Sequence, residues 1–321
     1  MSILIYAEYA EGKFKKVAFE LASYAKKVAE TLGTTVTAVT VNAGDVSELA
    51  KYGVDKVLKV NNDKLSGFTA KAYADVIKQA AVKENVKLVL LSSTTDSVYL
   101  SSLVAVGLEA GYASNVVGLP ISTTPFLVKR NAFSNKAFNT TEIETEIKVL
   151  GLAKNSYGIF ETPSTLTEED FNPTIGENDF GVKVESVEKG SGKVSIADAD
   201  IVVSAGRGLK GPENWKMVED LASVLGAATA CSKPVSDLGW RPHGEHVGQT
   251  GKPAATNLYI AIGISGAIQH IAGVNSSKVK VVINSDPEAP FFKVADYGIV
   301  GDAFEIIPQL IEKFKAFKAQ N

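Results

Sequence analysis

The sequence contains a single cysteine, Cys231, and only three histidines among its 321 residues. One cysteine allows no intramolecular disulfide and no cysteine-based metal or cluster site. His243, His246 and His270 have neither a second ligand type nor paired carboxylates to complete a metal site. We therefore expect no bound metal.

The chain also lacks a strong excess of either charge and any long apolar run. Its formal net charge is −3 and its pI is about 5.8, whereas nucleic acids and anionic membranes select for a basic face. Neither nucleic-acid binding nor membrane insertion is expected. An apolar strand pattern begins directly at residues 2–6 without a targeting leader, which favours a cytoplasmic protein.

The first half of the chain repeats a strand followed by an amphipathic helix. A composition of 45% hydrophobic and 21% charged residues in 321 residues suits about two globular domains. This alternation predicts βαβ units and a parallel sheet with flanking helices. The predicted strands cover residues 3–8, 36–41, 56–60 and 87–91. The predicted helices cover residues 14–32, 46–52 and 69–84, with a fourth opened by Asp96 or Ser97.

The pattern changes after Tyr112. Residues 116–119, 126–133 and 142–150 carry few helical signals, and we predict antiparallel strands that complete the first domain. A polar, turn-rich stretch follows and leads to KGSG at residues 189–192, which resembles a linker. The predicted domains are residues 1–189 and 190–321.

A second strand–helix series begins with a predicted strand at residues 200–204. It runs into a G-x-G-x-x-G sequence, Gly206 to Gly211, whose glycines could let backbone amides approach a pyrophosphate at the start of a helix over residues 212–225. An NAD site would also need an acidic residue after the next strand, where the chain has Cys231 and Ser232. An NAD-dependent dehydrogenase with an atypical site is therefore the alternative enzyme function.

The stretch LYIAIGISGAIQH, residues 258–270, predicts a buried strand, a turn at Gly263 and a helix with Ser265 as N-cap. Gly266 and Ala267 would allow an anion or nucleotide to approach the first turn of that helix. An ordinary turn in which Ser265 only caps the helix fits equally well. A serine-hydrolase elbow does not fit, because Ala267 stands where the second glycine is needed.

Polar side chains recur at the carboxyl ends of the predicted strands, the edge of an α/β sheet where ligands bind. Between two of these strands, Gly248 and Gly251 flank Gln249 and Thr250, which can donate and accept hydrogen bonds without titrating. Such side chains suit recognition of a heterocycle edge, and a plain tight turn would have a similar sequence. A pure scaffold protein would not need so many polar residues at the ends of its strands. These residues are Ser204, Arg207, Ser232, Ser265, Asn284 and Asp302.

Five segments of the second half resemble the alpha subunits of electron-transfer flavoproteins, the FixB-type proteins: GRGLK, VGQTGK, YIAIGISGAIQH, INSDPEAPFF and ADYGIVGD. The resemblance implies two α/β domains, the second a Rossmann-like, doubly wound domain that binds one FAD. It implies a heterodimer with a beta subunit, contacted by the N-terminal domain. The protein would be an electron carrier without its own substrate turnover. It would connect flavin dehydrogenases, such as acyl-CoA dehydrogenases, to a membrane quinone oxidoreductase or another acceptor.

Carried over by position, the resemblance also implies the FAD contacts. Thr250 would lie near N5 of the isoalloxazine and His270 near its carbonyl O2, with His270 and Lys233 as potential cations where negative charge develops. Lys233 and His246 depart from the residues commonest in the family. The implied contacts are Arg207, Ser232, Lys233, Val247, Gly248, Gln249, Thr250, Ser265, Gly266, Ala267, Ile268, Gln269, His270, Asn284, Asp302 and Ala303.

Overall fold

A computed structural model describes residues 2–133, 135–182, 184–186, 195–196 and 199–320. The chain divides into two compact units, Met1–Ala132 with Ala137–Glu188, and Phe133–Lys136 with Lys189–Asn321. The predicted linker at residues 189–192 lies outside the described residues. Within the described part of the chain, no helix has both the length and the apolar character needed to cross a membrane.

The first unit contains twelve strands and three α-helices among the described residues. Its strands are β1 (Ser2–Tyr6), β2 (Tyr9–Ala10), β3 (Lys13–Phe14), β4 (Thr35–Val41), β5 (Lys56–Val60), β6 (Leu88–Ser92), β7 (Gly111–Val116), β8 (Ser122–Thr123), β9 (Phe126–Ala132), β10 (Ala137–Glu142), β11 (Lys148–Leu152) and β12 (Thr167–Asp170). Its helices are α1 (Lys16–Leu32), α2 (Ala70–Lys83) and α3 (Thr95–Gly107). Shorter 3₁₀ turns span Ser47–Tyr52, Asp63–Leu65 and Glu177–Phe180.

The main sheet of this unit is largely parallel, as predicted. Its order is β10-β9-β7-β11-β6-β1-β4-β5-β12, with β8 paired to β9. The strands from β7 to β12 in that order are parallel, and β9 and β10 extend the sheet as an antiparallel hairpin. Strand alternation divides the core, because Ile3 and Ile5 pack with α1 whereas Leu4 packs with α2 and α3 on the other face.

Two predicted strands of this unit were wrong. The single antiparallel strand expected at residues 142–150 is two elements: β10 ends at Glu142, and β11 enters the sheet parallel between β6 and β7. The strand expected at residues 116–119 is β7, which ends at Val116. An apolar run such as that of β11, covered on both faces, specifies burial but not the direction of its neighbours.

The second unit contains five strands and four α-helices among the described residues. Its strands are β13 (Ile201–Ala205), β14 (Ala228–Cys231), β15 (Leu258–Ile262), β16 (Val279–Asn284) and β17 (Tyr297–Val300). Its helices are α4 (Lys216–Leu225), α5 (Lys233–Asp237), α6 (Ile268–Val274) and α7 (Ala303–Gln320). Its 3₁₀ turns are Arg207–Leu209, Pro212–Trp215, His243–Glu245 and Pro290–Lys293.

All five strands are parallel in the order β14-β13-β15-β16-β17. The chain leaves β13 toward one edge of the sheet and returns to place β15 on the other side, so β13 and β15 form a topological switch point. One face of the sheet is covered by Trp215 from the turn before α4, Leu221 from α4 and Ile307 from α7. Val274 and Phe291 cover the other face, and the doubly wound prediction is confirmed.

Both predicted helix starts at the sheet edge were too early. The helix after β15 begins at Ile268, with Ala267 rather than Ser265 at its N-cap. The Ser265 carbonyl instead accepts a hydrogen bond from the Phe291 amide at 3.1 Å, and Gly266 has φ +91°, which a helix does not permit. The helix after the glycine-rich loop begins at Lys216, following the 3₁₀ turn Pro212–Trp215.

Candidate functional site

A cavity of about 580 Å³ lies at the carboxyl ends of β13, β14, β15 and β16. Its volume is in the range of small-molecule sites, and its position at the switch point is where open α/β sheets bind ligands. Twenty residues line it: Gly206, Arg207, Gly208, Ser232, Lys233, Pro234, His246, Val247, Gly248, Gln249, Thr250, Gly263, Ile264, Ser265, Ala267, Gln269, His270, Asn284, Asp286 and Ala289.

The loops after β13 and β15 pack directly backbone to backbone. A Cβ added to Gly208 would lie 2.7 Å from the Gly263 Cα, and one added to Gly206 would overlap the Gly263 carbonyl. Gly263 itself has φ +58°. Glycine is therefore required at these positions by the approach of two protein segments.

This packing changes the interpretation of the G-x-G-x-x-G sequence. The amides of Gly206 and Gly208 donate to the carbonyls of Ile262 and Gly263, at 2.9 and 3.1 Å. The amides of residues 209, 210 and 211 donate to carbonyls within the loop itself. Amides engaged in this way cannot also bind a pyrophosphate, so the dinucleotide-type phosphate loop that the sequence left possible does not form.

A second loop, residues 246–252, is held between β14 and α6. The Val247 amide donates to the Cys231 carbonyl at 3.0 Å, and the Gln249 amide donates to the Gln269 carbonyl at 2.7 Å. A Cβ on Gly273 would lie 2.5 Å from the Gly248 Cα, so the loop lies flat against the helix. Held in this way, the loop exposes the neutral side chains of Gln249 and Thr250 at the cavity.

Two buried histidines line the cavity. His270 is 6% exposed, and its Nε2 lies 3.0 Å from the Tyr259 hydroxyl. Burial, reinforced by the neighbouring His246, lowers the pKa of His270 to about 4, and burial also lowers the pKa of His246. Burial therefore favours the neutral form of the His270 ring at pH 7 and does not support its predicted role as a cation.

Positive charge at the cavity comes from Arg207 and Lys233. Arg207 is exposed and forms no ion pair with any described residue. Lys233 Nζ instead contacts both carboxylate oxygens of Asp237, one turn along α5, at 2.8 and 2.7 Å. Asp286 is the one acidic residue in the lining. Arg207 is thus the cation most available to an anionic ligand.

Most of the predicted site residues meet at this cavity, but four do not line it: Gly266, Ile268, Asp302 and Ala303. Gly266 packs under the Phe291 backbone, and Ile268 is 59% exposed. Asp302 accepts a hydrogen bond from the Phe304 amide at 2.9 Å at the start of α7. Asn284 lines the cavity, yet its side-chain amide donates to the Ile264 carbonyl at 3.1 Å and its oxygen accepts from the Asp286 amide.

Eight lining residues were not among the predicted contacts: Gly206, Gly208, Pro234, His246, Gly263, Ile264, Asp286 and Ala289. The paired glycines were visible in the sequence but suggested phosphate binding instead of loop packing. Asp286 follows a predicted strand end by two residues, a signal that could have included it. No sequence signal distinguishes Pro234, Ile264 or Ala289 from core residues.

Comparison with known families decides the class of the protein. Residues 3–172 match the family model described as electron transfer flavoprotein domain, and residues 195–275 match the electron transfer flavoprotein FAD-binding domain. The chain belongs to the electron transfer flavoprotein alpha-subunit family. Membership of this family confirms the resemblance inferred from the sequence, and with it FAD as the cofactor.

Curated alpha subunits of this family align with the chain over almost its whole length. The subunit of Thermoanaerobacterium thermosaccharolyticum is 36% identical, with 98% of each chain covered. The subunit of Syntrophomonas wolfei is 37% identical, with 97% of this chain and 98% of the relative covered. That of Bacillus subtilis is 34% identical, with 98% and 97% covered.

The cavity residues fit an electron-transfer flavoprotein cofactor such as FAD. Nδ1 of His246 and Nδ1 of His270 are both buried without a hydrogen-bond partner among the described residues, and a ligand or an ordered water commonly satisfies such atoms. Arg207, which has no ion-pair partner among the described residues, offers a cation for a phosphate. The lining residues from Gly206 to His270 fall within residues 195–275, the matched FAD-binding domain, and the loop after β16 adds Asn284, Asp286 and Ala289 beyond it.

Proposed function

We propose that this chain is the FAD-carrying alpha subunit of a heterodimeric electron carrier, paired with a beta subunit. The supporting observation is the switch-point cavity, most of whose lining lies within the FAD-binding match and includes polar groups without a partner among the described residues. The proposed FAD-binding domain is residues 190–321, and the proposed partner-contacting domain is residues 1–189. The beta-subunit partner agrees with the subunit names of the relatives.

Different residues of the cavity have different proposed roles in binding FAD. Bound FAD supplies the redox chemistry, and the protein holds and tunes it. Gln249 and Thr250 offer exposed neutral hydrogen-bonding groups, and Arg207 offers a cation. The His270 and Ile271 amides of α6 donate to the Ala267 carbonyl, which leaves the Ile268 and Gln269 amides able to donate to an anionic group.

The proposed electron donors are flavin dehydrogenases, such as acyl-CoA dehydrogenases, and the proposed acceptor is a membrane quinone oxidoreductase or another redox protein. Relatives differ in this respect: one, from Acetobacterium woodii, is named a subunit of a lactate dehydrogenase that uses NAD⁺ and ferredoxin, with 30% identity over 96% of this chain and 76% of the relative. Donors should therefore be assayed as a panel, by the rate at which each reduces the flavin of the purified heterodimer.

Ser265 provides a test of the proposed binding site. Its side chain lies at the cavity and is exposed, and Ala267 rather than Ser265 occupies the N-cap. Ser265→Asp would place a carboxylate beside the proposed anionic cofactor without disturbing a cap. We expect FAD affinity to fall by about tenfold or more, because like charges repel strongly at a partly desolvated site, with an unchanged melting temperature.

Ser102→Asp is the matched control, since Ser102 is an exposed serine of α3 in the first unit. It should leave FAD affinity unchanged. The measurement is a fluorescence titration of the flavin-stripped full chain with FAD, together with the flavin absorption and FAD stoichiometry of the heterodimer. A colourless heterodimer, or equal FAD affinity in both variants and the wild type, would contradict the proposed function.

A further inference from the structure

A charged network lies beside the segment that leads into the cavity loop, residues 246–252. Arg241 Nε and Nη2 donate to the two carboxylate oxygens of Glu245 at 2.8 and 2.7 Å. Arg241 Nη1 lies 3.0 Å from a carboxylate oxygen of Glu219 in α4. The guanidinium carbon also lies over the ring of Trp215, 5.4 Å from its centroid. One side chain therefore connects α4 and the turn before it with the entrance to the cavity loop.

The burial of this network gives it a defined geometry. The Arg241 and Glu245 side chains are 14% and 15% exposed, whereas fully exposed ion pairs are weak and adopt many arrangements. A guanidinium that forms two parallel bonds to one carboxylate and lies over an aromatic ring has a fixed direction. Trp215 is itself buried in the core of the unit. Arg241 is thus anchored on the core side and fixes the position of the Glu245 carboxylate.

Glu245 directly precedes the cavity loop. Its amide donates to the Pro242 carbonyl at 2.9 Å, a bond within the turn that shapes the turn locally. The next two residues, His246 and Val247, line the cavity. Because each residue has only two freely rotating backbone bonds, the position of Glu245 constrains where the loop begins. The contact of Arg241 with α4 therefore reaches the cavity wall through this turn.

We propose that Arg241 is a positioning residue for FAD binding, which acts through Glu245 to hold the cavity loop in the arrangement that forms one wall of the cavity. This inference rests on the proposed function, because it assigns FAD to that cavity. Arg241 is not among the residues that line the cavity, so its effect on FAD has to pass through the loop. Lysine at this position would retain the charge but could not form the fork to Glu245 and the contact with Glu219 together.

Arg241→Lys and Glu245→Gln test this connection in the full chain stripped of FAD. Each should lower FAD affinity by roughly five- to tenfold in a fluorescence titration, the effect of about one lost hydrogen bond. Each should also change the visible circular dichroism of the flavin at saturating FAD, because a displaced loop alters the surroundings of the ring. The double variant should lose no more affinity than the weaker-binding single variant, since both changes break the same contact.

Ser277→Ala is the control for a loss of stability alone. Ser277 is 3% exposed, and its hydroxyl donates to the Ala254 carbonyl at 2.9 Å. It lies just before β16, at the end of the sheet opposite the cavity. Its loss should lower the melting temperature, as breaking the Arg241 fork should. Unlike the Arg241 variant, it should leave both FAD affinity and the flavin dichroism unchanged.

Each outcome bears on a separate part of the proposal. A lowered melting temperature in Arg241→Lys with unchanged FAD affinity and flavin dichroism would overturn it, because the network would then only stabilise the fold. An equal loss of affinity in Ser277→Ala would do the same. Additive losses in the double variant would overturn the route through Glu245. If Arg241→Lys does not fold, Glu245→Gln tests the same contact. Failure of the wild type to bind FAD would instead refute the proposed function.

Discussion

Substitution of Gly208 by alanine tests whether the packing of two loops creates the cavity. Gly208 is the middle residue of the 3₁₀ turn Arg207–Leu209, and its added Cβ would lie 2.7 Å from the Gly263 Cα and 3.2 Å from the Gly263 carbonyl carbon. These are backbone atoms that cannot rotate away. The loops would have to separate by about 1 Å to reach ordinary carbon–carbon contact.

The expected cost follows from this separation. Overpacking costs roughly 1–3 kcal/mol, which is offset by about 0.4–1 kcal/mol because alanine restricts the unfolded chain. We expect a net loss of about 1–2 kcal/mol, or roughly 3–10 °C in melting temperature for a unit of this size. The Gly208 amide would also lose its bond to the Gly263 carbonyl. FAD affinity should fall at least about tenfold as the cavity wall moves.

Gly244→Ala is the matched control for this variant. Gly244 is also the middle residue of a three-residue 3₁₀ turn, His243–Glu245, but the nearest atom to its added Cβ would be Lys252 Nζ at 3.9 Å. Thermal unfolding followed by circular dichroism and FAD titration by fluorescence measure both variants. If Gly208→Ala behaves like Gly244→Ala in both assays, the loops are not packed as described and the reasoning fails.

Two further predictions concern pH. Burial raises the pKa of Glu8, but the Lys15 ammonium and hydrogen bonds to the carboxylate outweigh it and lower the pKa below 4.5. Glu8→Gln should therefore lower the free energy of unfolding by roughly 2 kcal/mol at pH 7. Urea denaturation measures this difference from the wild type, which should disappear as the pH falls below 4.5 and the wild-type carboxylate is protonated. Because the pKa of His270 is lowered in the folded chain, the unfolded chain takes up a proton between pH 6.5 and pH 4 that the folded chain does not. The free energy of unfolding of the wild type should therefore fall by up to about 3 kcal/mol over that range. His270→Gln should flatten that part of the curve, although His246, shifted in the same direction, will keep some of the slope; equal slopes would show that His270 is not desolvated.

The local pattern of residues was sufficient for much of the fold. The predicted strand at residues 258–262 is β15, and the predicted helix at residues 69–84 is α2 within one residue at each end. Apolar periodicity and flanking glycines report these elements because they reflect which side chains a segment buries, a property of the segment itself. The alternation of strands and helices likewise identified the parallel sheets and the sheet edge at which the cavity lies.

Tertiary contacts decided the rest. The sequence of β11 specifies burial, but only its position between β6 and β7 makes it parallel. Gly206 and Gly208 show that backbones come close, yet whether a phosphate or Gly263 approaches them depends on a segment more than fifty residues away. The family resemblance implied His270 as a potential cation. Its pKa, however, is lowered by burial beside Tyr259 and Phe291, and desolvation is a property of the assembled core.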